Sequence, residues 1–233
     1  ENDPHGLLLK QLATICCVIN PEIVGICSDV FEKFDSSIFS KEPILNGISQ
    51  YDRILEISDT CREGVVAMKK YPFYAIFMGG AGLGKTFLCS CVSKLAIELG
   101  YSVVYVTAYD IADVLVKIRF NRATGENYET LDLIKNCDLL IIDDLGAEGT
   151  NGATNTEIFT VINNRILNKK SLIISTNLTL EDINCVYGER LVSRFVGEFE
   201  TCQFINLLFK IGKFFRLFNK NLLILTFGIV FST

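Results

Sequence analysis

Histidine is almost missing from this chain: His5 is the only one in 233 residues. The nine cysteines do not make up for it. Cys16 and Cys17 are adjacent and Cys27 is remote, so a four-ligand zinc site of ordinary spacing is hard to build. Cys89, Cys91, Cys137 and Cys185 fall in or beside expected core elements, and no secretory leader is recognisable. Together these read as free thiols in a reducing, cytoplasmic setting rather than a disulfide framework. Positive charge is short as well. With 22 Lys and Arg against 27 Asp and Glu the formal charge is −5, which excludes a globally basic nucleic-acid binder and confines any DNA contact to a local patch. Long apolar runs are lacking too. Residues 221–231 fall well short of the roughly 20 needed to span a bilayer, so no membrane role is expected. No internal repeat or low-complexity linker divides the chain, which is long enough for one large domain with a substantial core.

What is present begins with Gly79-Gly80-Ala81-Gly82-Leu83-Gly84-Lys85-Thr86. This run fits the phosphate-loop pattern G-x-x-x-x-G-K-[ST] in full. Glycines let a backbone wrap closely round a polyphosphate and aim successive N–H groups at its oxygens. Lys85 would reach the β- and γ-phosphates and the Thr86 hydroxyl would hold Mg²⁺. The flanks suit the motif. Tyr74 to Met78 predicts a short buried strand before it. Lys85 to Leu99 predicts a helix after it, with Phe87, Leu88, Cys91, Val92, Leu95, Ala96 and Leu99 on one face. The N-terminus of that helix would add its partial positive charge beneath the phosphates. Gly79 to Phe87 is therefore the expected nucleotide-binding stretch, with ATP and Mg²⁺ as its ligands.

About sixty residues on, Leu139-Leu140-Ile141-Ile142 is a continuous apolar run ending in Asp143-Asp144. Such runs suit a parallel strand buried on both faces. Carboxylates at its C-terminal end would sit at the sheet edge where ligands of open α/β sheets bind. Asp143 is the candidate Mg²⁺ partner, acting through water, and Asp144 the candidate that orients or deprotonates the attacking water. Ser171 to Ser175 predicts another strand, ending in Thr176-Asn177, and Asn177 could hydrogen-bond a γ-phosphate or that water. Further on, Arg190 and Arg194 lie four residues apart on one face of an expected helix. Either they are donated across a subunit boundary, or the helix is an ordinary surface one with Glu189 pairing locally.

Between these motifs strands and helices alternate. Gly100 ends the phosphate-loop helix, Ser102 to Val106 predicts a strand, and Ala108 to Phe120 a helix bearing Lys117 and Arg119, with Arg122 just beyond. Thr154-x-x-Glu157 reads as a capping box opening a helix to about Leu167. Thr179-x-x-Asp182 resembles another. The polar loop from Gly146 to Ala153 is expected above the site and mobile with nucleotide state.

The set GGAGLGKT, LLIIDDLGAE, IISTNLTLEDI and YGERLVSRFVGEFE resembles the DnaC/DnaI-type replicative helicase loaders and the IstB-like transposition helpers, which are AAA+ ATPases. The resemblance covers roughly Phe31 to Phe204, with the motifs in family order. It implies a three-layer α/β P-loop core with a parallel sheet of strand order 5-1-4-3-2 and an absent or reduced lid. It implies that Lys85 and Thr86 bind nucleotide, Asp143 holds Mg²⁺, Asp144 takes the catalytic acidic position and Asn177 is sensor 1. Arg194 looks like the arginine finger, with Arg190 a second candidate for nucleotide contact. Many AAA+ proteins carry Glu where this chain has Asp144, which leaves a slow ATPase stimulated by assembly as the expectation. An inserted helix in this branch lines a nucleic-acid channel, which makes Lys117, Arg119 and Arg122 candidates for single-stranded DNA, alongside an ordinary solvated face. The implied function is an ATP-dependent helicase loader that binds single-stranded DNA and a replicative helicase and self-assembles when ATP-bound. A transposition helper and a non-catalytic nucleotide switch are the alternatives.

The ends of the chain differ from the middle. Residues 1–30 lack an initiating Met and read as an atypical remnant, short of the helicase-binding domain such loaders often carry. Residues 31–204 are the expected ATPase core, with Phe31 to Tyr71 beside the nucleotide base. From Thr201 on there is no Asp or Glu, four basic residues (Lys210, Lys213, Arg216, Lys220) and seven phenylalanines. No family-type final strand is evident there. Residues 205–233 are read as sequence foreign to the fold, with a basic aromatic partner or membrane helix as the other reading.

Overall fold

The structure, a computed structural model, describes residues 41, 43–45, 48–148 and 152–204. The expectations for residues 1–30 and 205–233, and for a lid beyond the core, lie outside them. A short hairpin, β1 (Pro43–Leu45) with β2 (Ile48–Ser49), leads into α1 (Gln50–Ala67). Then follow β3 (Tyr74–Met78), α2 (Lys85–Glu98), β4 (Val103–Thr107), α3 (Ala108–Arg119), α4 (Gly125–Asn136) and β5 (Leu139–Leu145). The chain continues through α5 (Gly152–Leu167), β6 (Ser171–Thr176), α6 (Leu180–Tyr187), α7 (Glu189–Glu198) and β7 (Glu200–Gln203).

The main sheet runs β4-β5-β6-β3-β7, with every pair parallel. Renumbered along the chain from β3, that is the expected order 5-1-4-3-2. Parallel strands need helical crossovers that cover both faces, and the apolar runs of β3 and β6 are buried at every position. Alternation sorts their side chains. Ala75, Phe77, Leu139, Ile141 and Ile173 face α1 and α2, where Ile57, Cys61, Val65, Leu88, Cys89 and Val92 meet them. Ile76, Met78, Leu140, Ile142, Leu172 and Ile174 face α3 to α7, where Ile111, Ile134, Ile158, Ile162, Leu191 and Phe195 fill the second core.

Several expectations are corrected in detail. A final strand does exist: β7 pairs with β3, Cys202 and Phe204 are buried, and the Phe204 N–H donates to the Met78 carbonyl at 2.7 Å. The compositional break at Thr201 is therefore not the structural one. Thr154 lies inside α5, which begins at Gly152, so it does not cap that helix. The box at Thr179 and Asp182 is present. On α2, Cys89 and Ser93 are buried while Leu99 is exposed, which shifts the packed face toward Cys89, Val92 and Ala96. The six described cysteines are free thiols. Cys185 is exposed rather than bordering the core, and Cys61 of α1 hydrogen-bonds Cys202 of β7 within it.

Arg165, in the last turn of α5, is only 2% exposed. Its guanidinium donates to the carbonyls of Ile134 (2.9 Å), Cys137 (3.1 Å), Asp138 (3.2 Å) and Ser171 (2.6 Å), and among the described residues no carboxylate pairs with it. The C-terminal end of α4, where backbone carbonyls lack helical partners and carry partial negative charge, supplies the counter-field. Arg165→Met should leave those buried acceptors without a donor and cost about 2–4 kcal/mol. Urea unfolding of this variant should show a lowered midpoint with an unchanged slope.

Candidate nucleotide site

The site forms where β3, β5 and β6 end at the same sheet edge. Four described helices open on a Ser or Thr cap: α1 on Ser49, α3 on Thr107, α4 on Thr124 and α6 on Thr179. Helix α2 does not. Its N-cap is Gly84 at φ 94°, with no side chain closing the terminus, the kind of helix start that suits an anion. Gly80 and Gly84 have no neighbouring atom within 4 Å of where a Cβ would stand, so the space beside the loop is open at both positions.

The Lys85 ammonium folds back into this loop. It donates to the carbonyls of Gly79 and Gly80, both at 2.7 Å, and to Asn177 Oδ1 at 2.8 Å. All three of its protons are used. Burial lowers the Lys85 pKa, and the nearby Asp144 and Asp143 oppose that shift. Asn177 Nδ2 in turn donates to Asp144 Oδ1 at 2.8 Å, so Lys85, Asn177 and Asp144 form one chain across three strand ends. Asp144 is exposed with φ 59°, a left-handed conformation that turns its carboxylate away from the strand direction.

Asp143 is buried beside it. Its Oδ1 accepts from the Ser175 hydroxyl and from Thr86 Oγ1 at 3.3 Å, and its Oδ2 accepts from the Tyr105 phenol at 2.5 Å. Ser175 Oγ also accepts from the Asp144 N–H at 2.9 Å. Burial, then the neighbouring Cys89 and Asp143, push the Tyr105 pKa far above its ordinary value, so the phenol stays a donor. A carboxylate against a hydroxyl is the hard-oxygen pairing that suits Mg²⁺, and Thr86 with Asp143 fits that ion.

The structure thus brings Lys85, Thr86, Asp143, Asp144 and Asn177 together. The arginines stand apart from them. Arg190 and Arg194 lie on α7, anchored by Leu191 and Phe195 in the core on the sheet face opposite α2. Among the described residues neither they nor Glu189 forms an ion pair, so the local pairing read for Glu189 is not observed. Lys117 pairs with Asp113 at 2.6 Å and Arg119 with Glu157 at 3.0 Å. Helix α1 packs along α2 through the core, and no described contact singles out a base-binding residue.

Three residues around the site escaped the sequence reading. Tyr105 and Ser175 hold Asp143, and Glu148 ties the loop after β5 to α6. One Glu148 oxygen accepts from the Gly146 N–H at 2.8 Å, the other from the Tyr187 hydroxyl. Period-2 alternation places Tyr105, Asp143 and Ser175 on one sheet face, but only the strand register brings them into reach.

A family model described as IstB-like ATP binding protein matches residues 73–196. The chain belongs to that family. The match spans the phosphate loop, both aspartates, Asn177 and both arginines. Chromosomal replication initiator protein DnaA of Mesoplasma florum is 27% identical over 180 residues, covering 73% of this chain and 40% of DnaA. The replicative helicase loader DnaC of Escherichia coli K12 is 29% identical over 119 residues, 51% of this chain and 48% of the loader. This chain thus spans less than half of either relative. AMPPCP-bound DnaA from Aquifex aeolicus superimposes with a TM-score of 0.58 at 25% identity, over 78% of this chain and 57% of that one. A DnaC helicase loader shares the fold, with a TM-score of 0.55 at 24% identity over 70% of this chain and 92% of that one.

Gly79 and Gly80 give a contrast that tests the loop's geometry. Gly79 sits at φ 148°, and a Cβ there would meet the Phe204 carbonyl oxygen at 2.5 Å. Gly79→Ala should therefore cost about 1–3 kcal/mol, read as a lowered thermal midpoint. Gly80→Ala meets nothing and should melt within a degree or two of the unsubstituted chain.

Proposed function

We propose that this chain binds ATP with Mg²⁺ in the loop from Gly79 to Phe87 and hydrolyses it as part of a replicative helicase loader. The observation that carries this is the meeting of Lys85, Thr86, Asp143, Asp144 and Asn177 at one sheet edge, beside an uncapped helix N-terminus. Backbone N–H groups of the loop would cradle the phosphates. Lys85 would exchange its carbonyl partners for β- and γ-phosphate oxygens, a favourable trade because a charge-assisted bond to an anion replaces bonds to neutral carbonyls. Thr86 and Asp143 would hold Mg²⁺, which neutralises phosphate charge. Once Lys85 turns to phosphate, Asn177 is left with Asp144 and can fix its carboxylate toward the attacking water. Asp144 then accepts the water proton.

Arg194, with Arg190 beside it, would act on the nucleotide of a neighbouring subunit. Support comes from their place on the sheet face away from α2 and from their forming no ion pair among the described residues. The DnaC relative, a replicative helicase loader, and the DnaA structure solved with AMPPCP and single-stranded DNA favour a helicase and single-stranded DNA as partners. Lys117, Arg119 and Arg122 are the DNA candidates. The pairs that hold Lys117 and Arg119 are exposed and weak, so phosphates can displace them. A second reading, in keeping with the IstB-like description of the family, is a helper that delivers a transposase to target DNA. Pull-down against a replicative helicase and a transposase separates the two.

In nucleotide titrations Lys85→Ala should weaken ATP binding at least tenfold while the far-ultraviolet circular dichroism stays unchanged. Asp144→Asn should still bind ATP with Mg²⁺ and turn it over at least 100-fold more slowly. Asp143→Asn should also lose the Mg²⁺ dependence of binding. Near-normal affinity of the Lys85 variant would end the phosphate-loop assignment.

Assembly is tested by mixing inactive partners. Arg194→Ala subunits would keep ATP without a finger, and Lys85→Ala subunits would offer a finger without ATP. Their mixture should regain part of the hydrolysis, since such arginines raise turnover by roughly 10³-fold or more. Turnover of the unsubstituted chain should rise more steeply than linearly with concentration. A mixture as inactive as its components would rule out action in trans.

A further inference from the structure

We propose that Tyr105 is the positioning residue for the metal-binding carboxylate, a phenol that fixes Asp143 in the orientation Mg²⁺ requires. The inference rests on the nucleotide-site reading above and deepens it. Thr107 of β4 is the register partner of Asp143 on β5. Tyr105 lies two residues earlier on the same face, the diagonal position from which a long aromatic side chain reaches its cross-strand neighbour. Its hydroxyl closes on Asp143 Oδ2 at 2.5 Å. The opposite oxygen, Oδ1, takes the Ser175 hydroxyl and faces Thr86.

A free aspartate carboxylate has a broad torsion about its last bond. Here donors on both oxygens remove that freedom. The donors also come from different strands, Tyr105 from β4 and Ser175 from β6, so the carboxylate is held from both sides of β5. Both are neutral, which leaves the full negative charge of Asp143 for a cation. On Oδ1 the Thr86 bond is the long one, at 3.3 Å, so that lone pair can pass to a cation while the Tyr105 and Ser175 bonds stay in place. The ring of Tyr105 packs against the core beneath α2, so the hydroxyl is delivered from a rigid base. Partners that orient a ligand in this way are typically worth 10–100-fold in metal affinity.

The test is Tyr105→Phe in the full chain, which removes one oxygen and keeps the ring. Three quantities are measured: the ligand-free thermal midpoint, the affinity for a fluorescent ATP analogue in EDTA, and Mn²⁺ half-saturation at saturating non-hydrolysable ATP analogue, followed by the electron paramagnetic resonance of free Mn²⁺. The expected result is about a tenfold rise in Mn²⁺ half-saturation, with the affinity in EDTA unchanged and the thermal midpoint lowered only by the loss of one hydrogen bond to a buried carboxylate. On an Asp143→Asn background, adding Tyr105→Phe should change Mn²⁺ binding no further, because the phenol acts through that carboxylate.

Unchanged Mn²⁺ half-saturation in Tyr105→Phe would overturn the proposal. So would an effect that persists without Asp143, or an equal loss in EDTA, which would mark Tyr105 as packing alone. If the unsubstituted chain itself shows no Mn²⁺ binding with nucleotide, the site reading fails and takes this inference with it.

Discussion

Two-sided burial of the parallel sheet is the constraint from which the rest of this molecule follows. Strands β3, β5 and β6 offer no apolar face to water because both faces are covered by helices, so polar side chains have almost no place along them. They collect instead where the strands end. Asp143, Asp144, Ser175, Thr176 and Asn177 all stand at the C-terminal edge, and the phosphate loop leaves β3 at the same edge. The chemistry sits there because the sheet excludes it everywhere else. Low dielectric around Asp143 and Lys85 then makes each of their hydrogen bonds stronger, and an unpaired partner more costly, than the same groups in water.

The site's charged groups are satisfied by the protein's own partners. Lys85 is neutralised by two carbonyl dipoles and an amide, and Asp143 by three hydroxyls. Each partner in this network is one that a phosphate or a metal ion can displace. Binding then becomes an exchange of partners among positioned groups, with little ordering left to accomplish.

How much of this was legible in the sequence depended on the kind of signal. Continuous apolar runs such as Leu139 to Ile142 announced buried strands because burial on both faces removes alternation. The glycine spacing announced the loop because only such a backbone can line a phosphate. The strand order was legible only through family resemblance, since periodicity says nothing about which strands are neighbours. For the same reason Tyr105 and Ser175 went unread: their place at Asp143 is a matter of register between strands far apart in the chain. Strand β7 was missed because Glu200-Thr201-Cys202-Gln203 buries a single side chain at a sheet edge. The pattern Thr154-x-x-Glu157 misled because it fits a helix interior as well as a helix start. Arg165 gave no signal at all, as its acceptors are mainly backbone carbonyls of α4, of Cys137 and Asp138 just after it, and of β6.

Arg165 also separates the two ends of the sheet mechanically. At the N-terminal edge one guanidinium holds the end of α4 to the starts of β5 and β6, like the stitched spine of a book. The opposite edge is made of loops held by exchangeable partners. Amide hydrogens at the stitched end are therefore expected to exchange more slowly than those of the phosphate loop. The molecule keeps its shape at one end so that it can change its contacts at the other.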